Sequence, residues 1–466
     1  MLNMQRKNKQ WIRNRFFKNL PVNFKIMTKK KNNIFNRAVL AAMVAVTAHF
    51  AHAQNPAPAA PQTKPIILTG ATIHTGNGQV IENGVIAFDK GIITQVGPAG
   101  SGNTSGAEVI DVKGKHIFPG IISLNTTVGI QEIASVRATL DFNEIGEINP
   151  HIRSLVAYNT DSEVIPTLRG NGILLSQAVP QGGIVSGSSS VFYTDGWNWE
   201  DAVLKKDDGI WINWPSFLAR SFNFEDFSVT MKRNEKRQEV IDKFSGVFAD
   251  AKAYADLKDP SPINLRLAAM KSLFNGSANL YIRADYAKDI VESVKFAKAA
   301  GVQKIVIVGG DESYKVAAFL KENQIPVVLN PTHRLPGRVD ENVYLPYELP
   351  GLLHKAGVKV AVTYADEWWR TRNLAFLAGT SSGFGNISSE EALQFITRNA
   401  AEIIGADKQI GTLEKGKHAS FLVSQGDILD MRGNDVEMVF IKGGKVNLDD
   451  KQKRLYEKYK DKYGKK

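Results

Sequence analysis

The middle of this chain alternates buried-type strands with helical stretches, an order that few folds accept. Lys304-Ile-Val-Ile-Val308 is an apolar strand ending in Gly309-Gly310, a helical stretch runs on through Lys321, and residues 325–329 form the next strand. Residues 355–363 repeat the theme. Strands sandwiched between helices and a core lose polar alternation, so short apolar runs between helices argue a parallel sheet. The expected fold class is α/β, a TIM (β/α)8 barrel over residues 118–404. In residues 234–256, Val240, Ile241, Phe244, Val247, Phe248, Ala251 and Ala255 keep the helical period, as a barrel-packing helix requires. Short β-rich runs at 65–70, 84–88 and 92–96 are mirrored at 419–423 and 436–441. They predict a small composite β-sandwich domain assembled from residues 65–117 plus 405–447.

Charge is concentrated at one end. The chain has 466 residues and a net charge of +11, yet residues 1–53 hold eleven Lys and Arg with no Asp or Glu. That segment accounts for the whole excess, so the rest has no basic bias and nucleic acid is not an expected partner. The segment reads as an export signal, with basic residues 29–37, an apolar run 38–50, and Ala51-His-Ala53 as an A-x-A cleavage site. A periplasmic or secreted location is expected, with a start at Met27 giving a signal of conventional length. The apolar run is short for a bilayer, so no stable membrane span is expected after cleavage. Residues 54–64, rich in Pro and Ala, read as an extended linker, and residues 448–466 as a basic helical tail. The chain has no Cys, which excludes disulfides, thiolate metal sites and a Cys nucleophile.

Phe118-Pro-Gly-Ile-Ile-Ser-Leu-Asn-Thr-Thr-Val-Gly129 leads out of the N-terminal β segment. It resembles the first barrel strand of the amidohydrolase superfamily, of the imidazolonepropionase-like and dipeptidase-like type, where Pro-Gly-x-Ile-Asp-x-His-x-His-x-Gly is usual. Residues 390–393, 397–405 and 411–417 resemble the family's closing helix and its return to the β domain. The resemblance implies attack on a carbonyl or C–N substrate by metal-bound hydroxide. Imidazoles and carboxylates would hold the metal, and an Asp from the last strand would take the proton. The ligand positions depart from this pattern. Ser123 stands at the Asp, and Asn125 and Thr127 stand at the two His. Arg283 takes the next His position, where a guanidinium repels a divalent cation. Gly309 sits where the following His would end its strand. Ala365 aligns without a gap on the last-strand Asp, leaving Asp366, one residue along, as the catalytic candidate. Arg283 is expected to pair with Asp285 or Asp366.

A site rebuilt from other residues would draw on His333 and His151, which fall in loops at the expected barrel mouth. With Asp285 and Trp368 they are the pocket candidates. Zn or another divalent metal would need such a rebuilt set; otherwise no cofactor is expected. The Trp residues near Asp195, Arg370 and Arg372 are read first as packing. Gly379-Thr-Ser-Ser-Gly383 has the nucleophile-elbow pattern but follows a helical run rather than a strand. Two functional readings result. In the first, this is an exported amidohydrolase-like protein with a degenerate metal site. It then serves as a non-catalytic partner of an active homologue or as a ligand binder, with self-association a further expectation from the family. In the second, it hydrolyses carbon–nitrogen bonds, non-peptide or dipeptide, with an atypical or metal-free site.

Overall fold

The computed structural model describes residues 55–464 apart from 103, 104, 226, 339 and 366. The expected signal, residues 1–53, lies outside the described residues. Strands β1 (Ile66–His74), β2 (Val80–Asp89) and β3 (Ile92–Pro98) form an antiparallel meander. Lys90 (φ 49) and Gly91 (φ 79) make the β2–β3 turn, both left-handed as a tight hairpin turn demands. Strands β4 (Glu108–Asp111) and β5 (His116–Pro119) pair with β1 in parallel.

The chain then enters a second, eight-stranded sheet. Its members are β6 (Ile121–Thr126), β7 (Ile173–Ala178), β8 (Val185–Tyr193) and β9 (Val203–Asn213), followed after an excursion by four more. The excursion holds the hairpin of β10 (Leu218–Phe222) and β11 (Val229–Arg233) and two helices, Arg237–Ala255 and Leu265–Phe274. Strands β12 (Asn279–Ala284), β13 (Ile305–Gly309), β14 (Val327–Leu329) and β15 (Val360–Val362) complete the sheet. Helix Arg237–Ala255 buries Phe244, Phe248 and Ala251 against the barrel, as the 3.6-residue spacing predicts.

One strand departs from the parallel pattern. β8 runs antiparallel to both β7 and β9, while the remaining neighbours are parallel. The cause is chain length: residues 179–184 cannot form a parallel crossover, which takes a dozen residues or more.

A polar network fills the barrel between these strands. Asp208, fully buried on β9, accepts from Ser189 Oγ (2.7 Å), Tyr281 OH (2.7 Å) and Gln177 Nε2 (2.8 Å). Gln177 Oε1 in turn accepts from the backbone N–H of Asn125 (3.1 Å). Trp211 Nε1 donates to Ser189 Oγ (2.7 Å), and its ring stacks on Tyr281 at 4.4 Å. Burial pushes the Asp208 carboxyl up, against the downward pull of its three donors.

After β15 the chain closes the barrel and returns to the first sheet. β15 and β6 do not pair directly. Thr363 Oγ1 donates to Leu124 O (2.5 Å), and residues 395–396 fill the seam. Ile122 N donates to Ile396 O (2.8 Å), and Asn399 Nδ2 donates to Val360 O (2.8 Å). Strand β16 (Phe421–Ser424) then pairs antiparallel with β5, followed by β17 (Val436–Ile441) and β18 (Gly444–Lys445). N- and C-terminal segments thus share one eight-stranded sheet, whose core sets Phe88 edge-on to Phe421 and Phe440.

The segment read as an extended linker is tied down instead. Asn55 Nδ2 donates to Asp161 O (2.6 Å), and Ala59 N donates to Asp195 Oδ2 (3.0 Å). The terminal helix Lys451–Tyr463 starts on an Asp450 cap and meets Thr167 through Gln452 (2.6 Å). Among the described residues no helix is long and apolar enough to cross a membrane.

The Asp208 network yields a direct expectation. Asp208→Ala strands three buried donors, so urea unfolding should show a loss of about 3 kcal/mol or more. Asp208→Asn, which keeps two acceptor lone pairs, should lose less. Equal losses for the two variants would show that cavity formation rather than hydrogen bonding dominates.

Candidate functional site

The C-terminal ends of the parallel strands carry the positions that the family resemblance singles out. Asn125 ends β6 in a left-handed conformation (φ 48), at an irregularity in the β6–β7 register between Ser123 and Thr126. Its side chain and that of Thr127 are buried, and Thr127 Oγ1 donates to Gln131 Oε1 (2.7 Å). Ser123 Oγ is buried without a hydrogen-bond partner. This end of β6 therefore offers amide and hydroxyl oxygens, some of them already engaged, and no imidazole.

Arg283, on β12, dominates the neighbouring space. Its guanidinium lies 4.7 Å over the Trp211 ring, which itself rests on Tyr281. Nη1 donates to Ser186 Oγ (3.3 Å) and Asn213 Oδ1 (3.2 Å), and Nη2 donates to Pro180 O (3.4 Å). These contacts are long, and every acceptor is neutral. Burial pushes the guanidinium down to about 10, so it stays charged at neutral pH. The expected pairing with Asp285 is absent: the Asp285 carboxylate turns away and accepts from Asn330 Nδ2 (3.1 Å). Asp366, the other expected partner and the catalytic candidate, lies outside the described residues. Among the described residues Arg283 has no carboxylate at ion-pair distance.

Gly309 closes the case at the third ligand position. With φ at 98, it adopts a conformation that an L side chain rarely takes, and a Cβ there would stand 2.3 Å from Asp285 Oδ1. A His at this place would be strained by the backbone and would have to displace the Asp285 carboxylate. Ala365 follows β15, half-buried.

Asp285 heads a second group at the mouth. Asn330 bridges it to Asp311 (3.1 Å to each), and Arg334 reaches both Asp311 (3.3 Å) and Glu341 (2.8 Å). Asp285 remains open to solvent. The protein mass around it, followed by the neighbouring Asp311 charge, pushes its carboxyl up to about 6.

The other candidates do not converge. His333 lies within 2.5 Å of Thr380 Oγ1 and edge-on to Tyr347, with burial lowering its affinity for a proton. His151 borders a separate hollow lined by residues 262–266. Trp368 packs on the barrel core with its Nε1 unpartnered. Asp195 is no ligand group: it forms a buried ion pair with Arg169 (2.5 Å). The 379–383 motif lies inside helix Leu374–Gly385, where Ser381 Oγ donates to Leu377 O (2.8 Å). Among the described residues no three His, Asp or Glu stand close enough to hold a metal ion. A hydrolytic metal therefore does not fit the donor set among the described residues: neutral oxygens, a glycine at positive φ, and a cation beside them.

Sequence reasoning located Arg283 but missed its supports. Trp211 and Asn213 share one face of β9, and Asp208 lies in a run, Lys205-Lys-Asp-Asp208, that looks solvated. The available signal is the alternation Asp-Gly-Ile-Trp-Ile-Asn over 208–213.

Comparison with known proteins gives this geometry its context. The Amidohydrolase family model matches residues 347–446. No curated protein matches the chain. Among solved structures, an amidohydrolase from Thermotoga maritima MSB8 superposes with a TM-score of 0.70 at 24% identity, covering 82% of this chain and 99% of that one. A putative prolidase from Bifidobacterium longum gives 0.52 at 17%, covering 86% and 99%. A Xaa-Pro dipeptidase with methionine bound in its active site gives 0.51 at 14%, covering 82% and 100%.

Two expectations follow from the geometry. Gly309→Ala should cost about 1–3 kcal/mol of stability in denaturant titration; a neutral change would mean the Asp285 loop yields freely. The raised Asp285 carboxyl means that the folded chain keeps a proton which the unfolded chain releases. Stability should therefore fall as pH rises from about 4 to about 6 and stay lower above that window. Asp285→Asn should melt like the parent near pH 4 and above it at pH 7. A difference that does not change with pH would show that Asp285 titrates as an ordinary carboxylate.

The chain thus shares its fold with solved amidohydrolases, and its residues 347–446 match the Amidohydrolase family model.

Proposed function

We propose that the barrel mouth is a binding site for a small zwitterion, an amino acid or dipeptide, on an amidohydrolase scaffold whose metal centre has been given up. The observation that carries this reading is Arg283. It is a charged guanidinium held by an aromatic ring and three neutral acceptors, with no carboxylate at ion-pair distance among the described residues. Burying a cation without a counter-charge is costly, and a ligand carboxylate entering the mouth would supply that charge in bidentate form. Two residues along the chain, Asp285 and its neighbour Asp311 offer carboxylates for a ligand ammonium. A dipeptidase of similar fold holds methionine in its active site, which supports this ligand class by analogy. The N-terminal signal pattern supports a periplasmic or secreted setting, where such ligands are scavenged.

Asp285 favours a second reading. A carboxyl displaced to about 6 is suited to general acid–base work near neutrality. On that reading the protein hydrolyses a dipeptide or another C–N bond without a metal.

Calorimetry with free methionine and an Xaa-Pro dipeptide tests both. Binding should be saturable in the parent, weaken about tenfold or more in Arg283→Met, and vanish when the ligand's carboxylate is amidated. Protein grown and purified with Zn present should carry far less than one ion per chain. Near-stoichiometric Zn, unaffected by Arg283→Ala, would sink the first reading. Dipeptide turnover that persists in chelator and is lost in Asp285→Asn would establish the second.

A further inference from the structure

The opposite end of the barrel carries a cleft of about 830 Å³, bounded by the N-terminal ends of β12 to β15 and the last turns of the covering helices. Five lysines line it, Lys205, Lys298, Lys304, Lys321 and Lys359, against one acid, Glu402. Glu402 is already shared between Lys359 (2.7 Å) and Arg398 (2.8 Å). Four ammonium groups are left without a carboxylate at ion-pair distance among the described residues.

Helix ends explain part of this. The C-terminal turn of a helix carries roughly half a negative charge, and lysines gather there to meet it. Lys205 Nζ donates to Ile404 O (2.6 Å), at the end of helix Arg398–Ile403. Lys298 Nζ donates to Asn323 Oδ1 (2.6 Å), at the end of helix Ala317–Glu322. Lys321 stands in the last turn of helix Ala317–Glu322, whereas Lys304 lies at no helix end. Lys304 precedes β13, and the tip of Lys321 extends over Gly357, where a Cβ would stand 3.0 to 3.1 Å from Cε and Nζ. Lys205 is half-buried, and desolvation and the Lys304 charge lower its affinity for a proton against the pull of the Asp208 and Asp407 charges. Clustered ammonium groups repel one another, and an anion bridging them relieves that repulsion.

We infer that this cleft binds a small oligoanion, a molecule bearing two or more phosphate or carboxylate groups, at the end of the barrel opposite the Arg283 site. Its volume lies within the range of small-molecule sites. Ligand oxygens would bridge Lys304 and Lys321 and reach Lys205 at the cleft wall.

Calorimetry at low ionic strength with pyrophosphate and with citrate tests the inference. Saturable binding of either probe is expected, and the preferred probe separates a phosphate ligand from a polycarboxylate. Lys304→Glu with Lys321→Glu should weaken it at least tenfold. Lys415→Glu with Lys445→Glu, an equal charge change on the β domain, should leave it within about twofold. Lys304→Gln with Lys321→Gln serves if the charge-reversed pair folds poorly, and it should also weaken binding. No saturable binding of either probe, or an equal loss in the two reversed pairs, overturns the proposal.

Discussion

A single buried carboxylate organises half of this barrel. Asp208 takes donors from β7, β8 and β12 while standing on β9, so four strands meet at one charge-bearing side chain. Gln177 carries the link on to β6 through the Asn125 backbone. A buried polar group of this kind is tolerable only when every member is satisfied, and that requirement fixes the strands' relative heights. A one-residue slip of β8 would turn Ser189 away and leave both Asp208 and Trp211 short of a partner. The antiparallel strand, the least expected element of the sheet, is thus also among the most tightly specified.

The same network decides what the mouth can do. Trp211 is held below by Tyr281 and sideways by Ser189, and its ring carries Arg283. A guanidinium over an indole face is attracted by the ring quadrupole, more strongly where water is scarce. Arg283 is therefore positioned from beneath by the barrel interior rather than by a partner at the surface. This arrangement leaves its donors weakly used, and it keeps a positive charge at a position where the family resemblance implies a metal ligand. The donor chemistry at Asn125, Thr127 and Gly309 agrees with that charge.

Much of the scaffold was legible in the sequence because hydrophobic burial writes itself periodically. The apolar runs of β13, β14 and β15 and the spacing of Phe244, Phe248 and Ala251 need no tertiary knowledge. The site was legible only where a family pattern supplied positions, as at Arg283. The rest was hidden by residue types that look solvated. Strand β8 is Val-Ser-Gly-Ser-Ser-Ser-Val-Phe-Tyr, whose serines are buried by hydrogen bonding rather than by apolar character. Asp207 and Asp208 are adjacent acids with opposite fates: one pairs with Arg153 at the surface and the other lies in the core. The expected Arg283–Asp285 pair failed for a local reason. Gly309's positive φ lets the Asp285 carboxylate fold back toward Asn330, away from the strand axis.

The seam between β15 and β6 has a kinetic side. Backbone at Phe395 and Ile396 fills that gap, and β16 then joins β5 across a long stretch of chain. Contacts of such sequence separation form slowly, because loop closure precedes any reward. As the chain lengthens from its N-terminus, β6 to β15 can associate, but they remain an open sheet with two unpaired edges until Phe395 and Ile396 arrive. A nascent or truncated chain ending before residue 395 would present those edges, together with the apolar faces meant for the closing helices, to other chains. The architecture thus makes the segment from Phe395 onward the guard against aggregation of everything made before it.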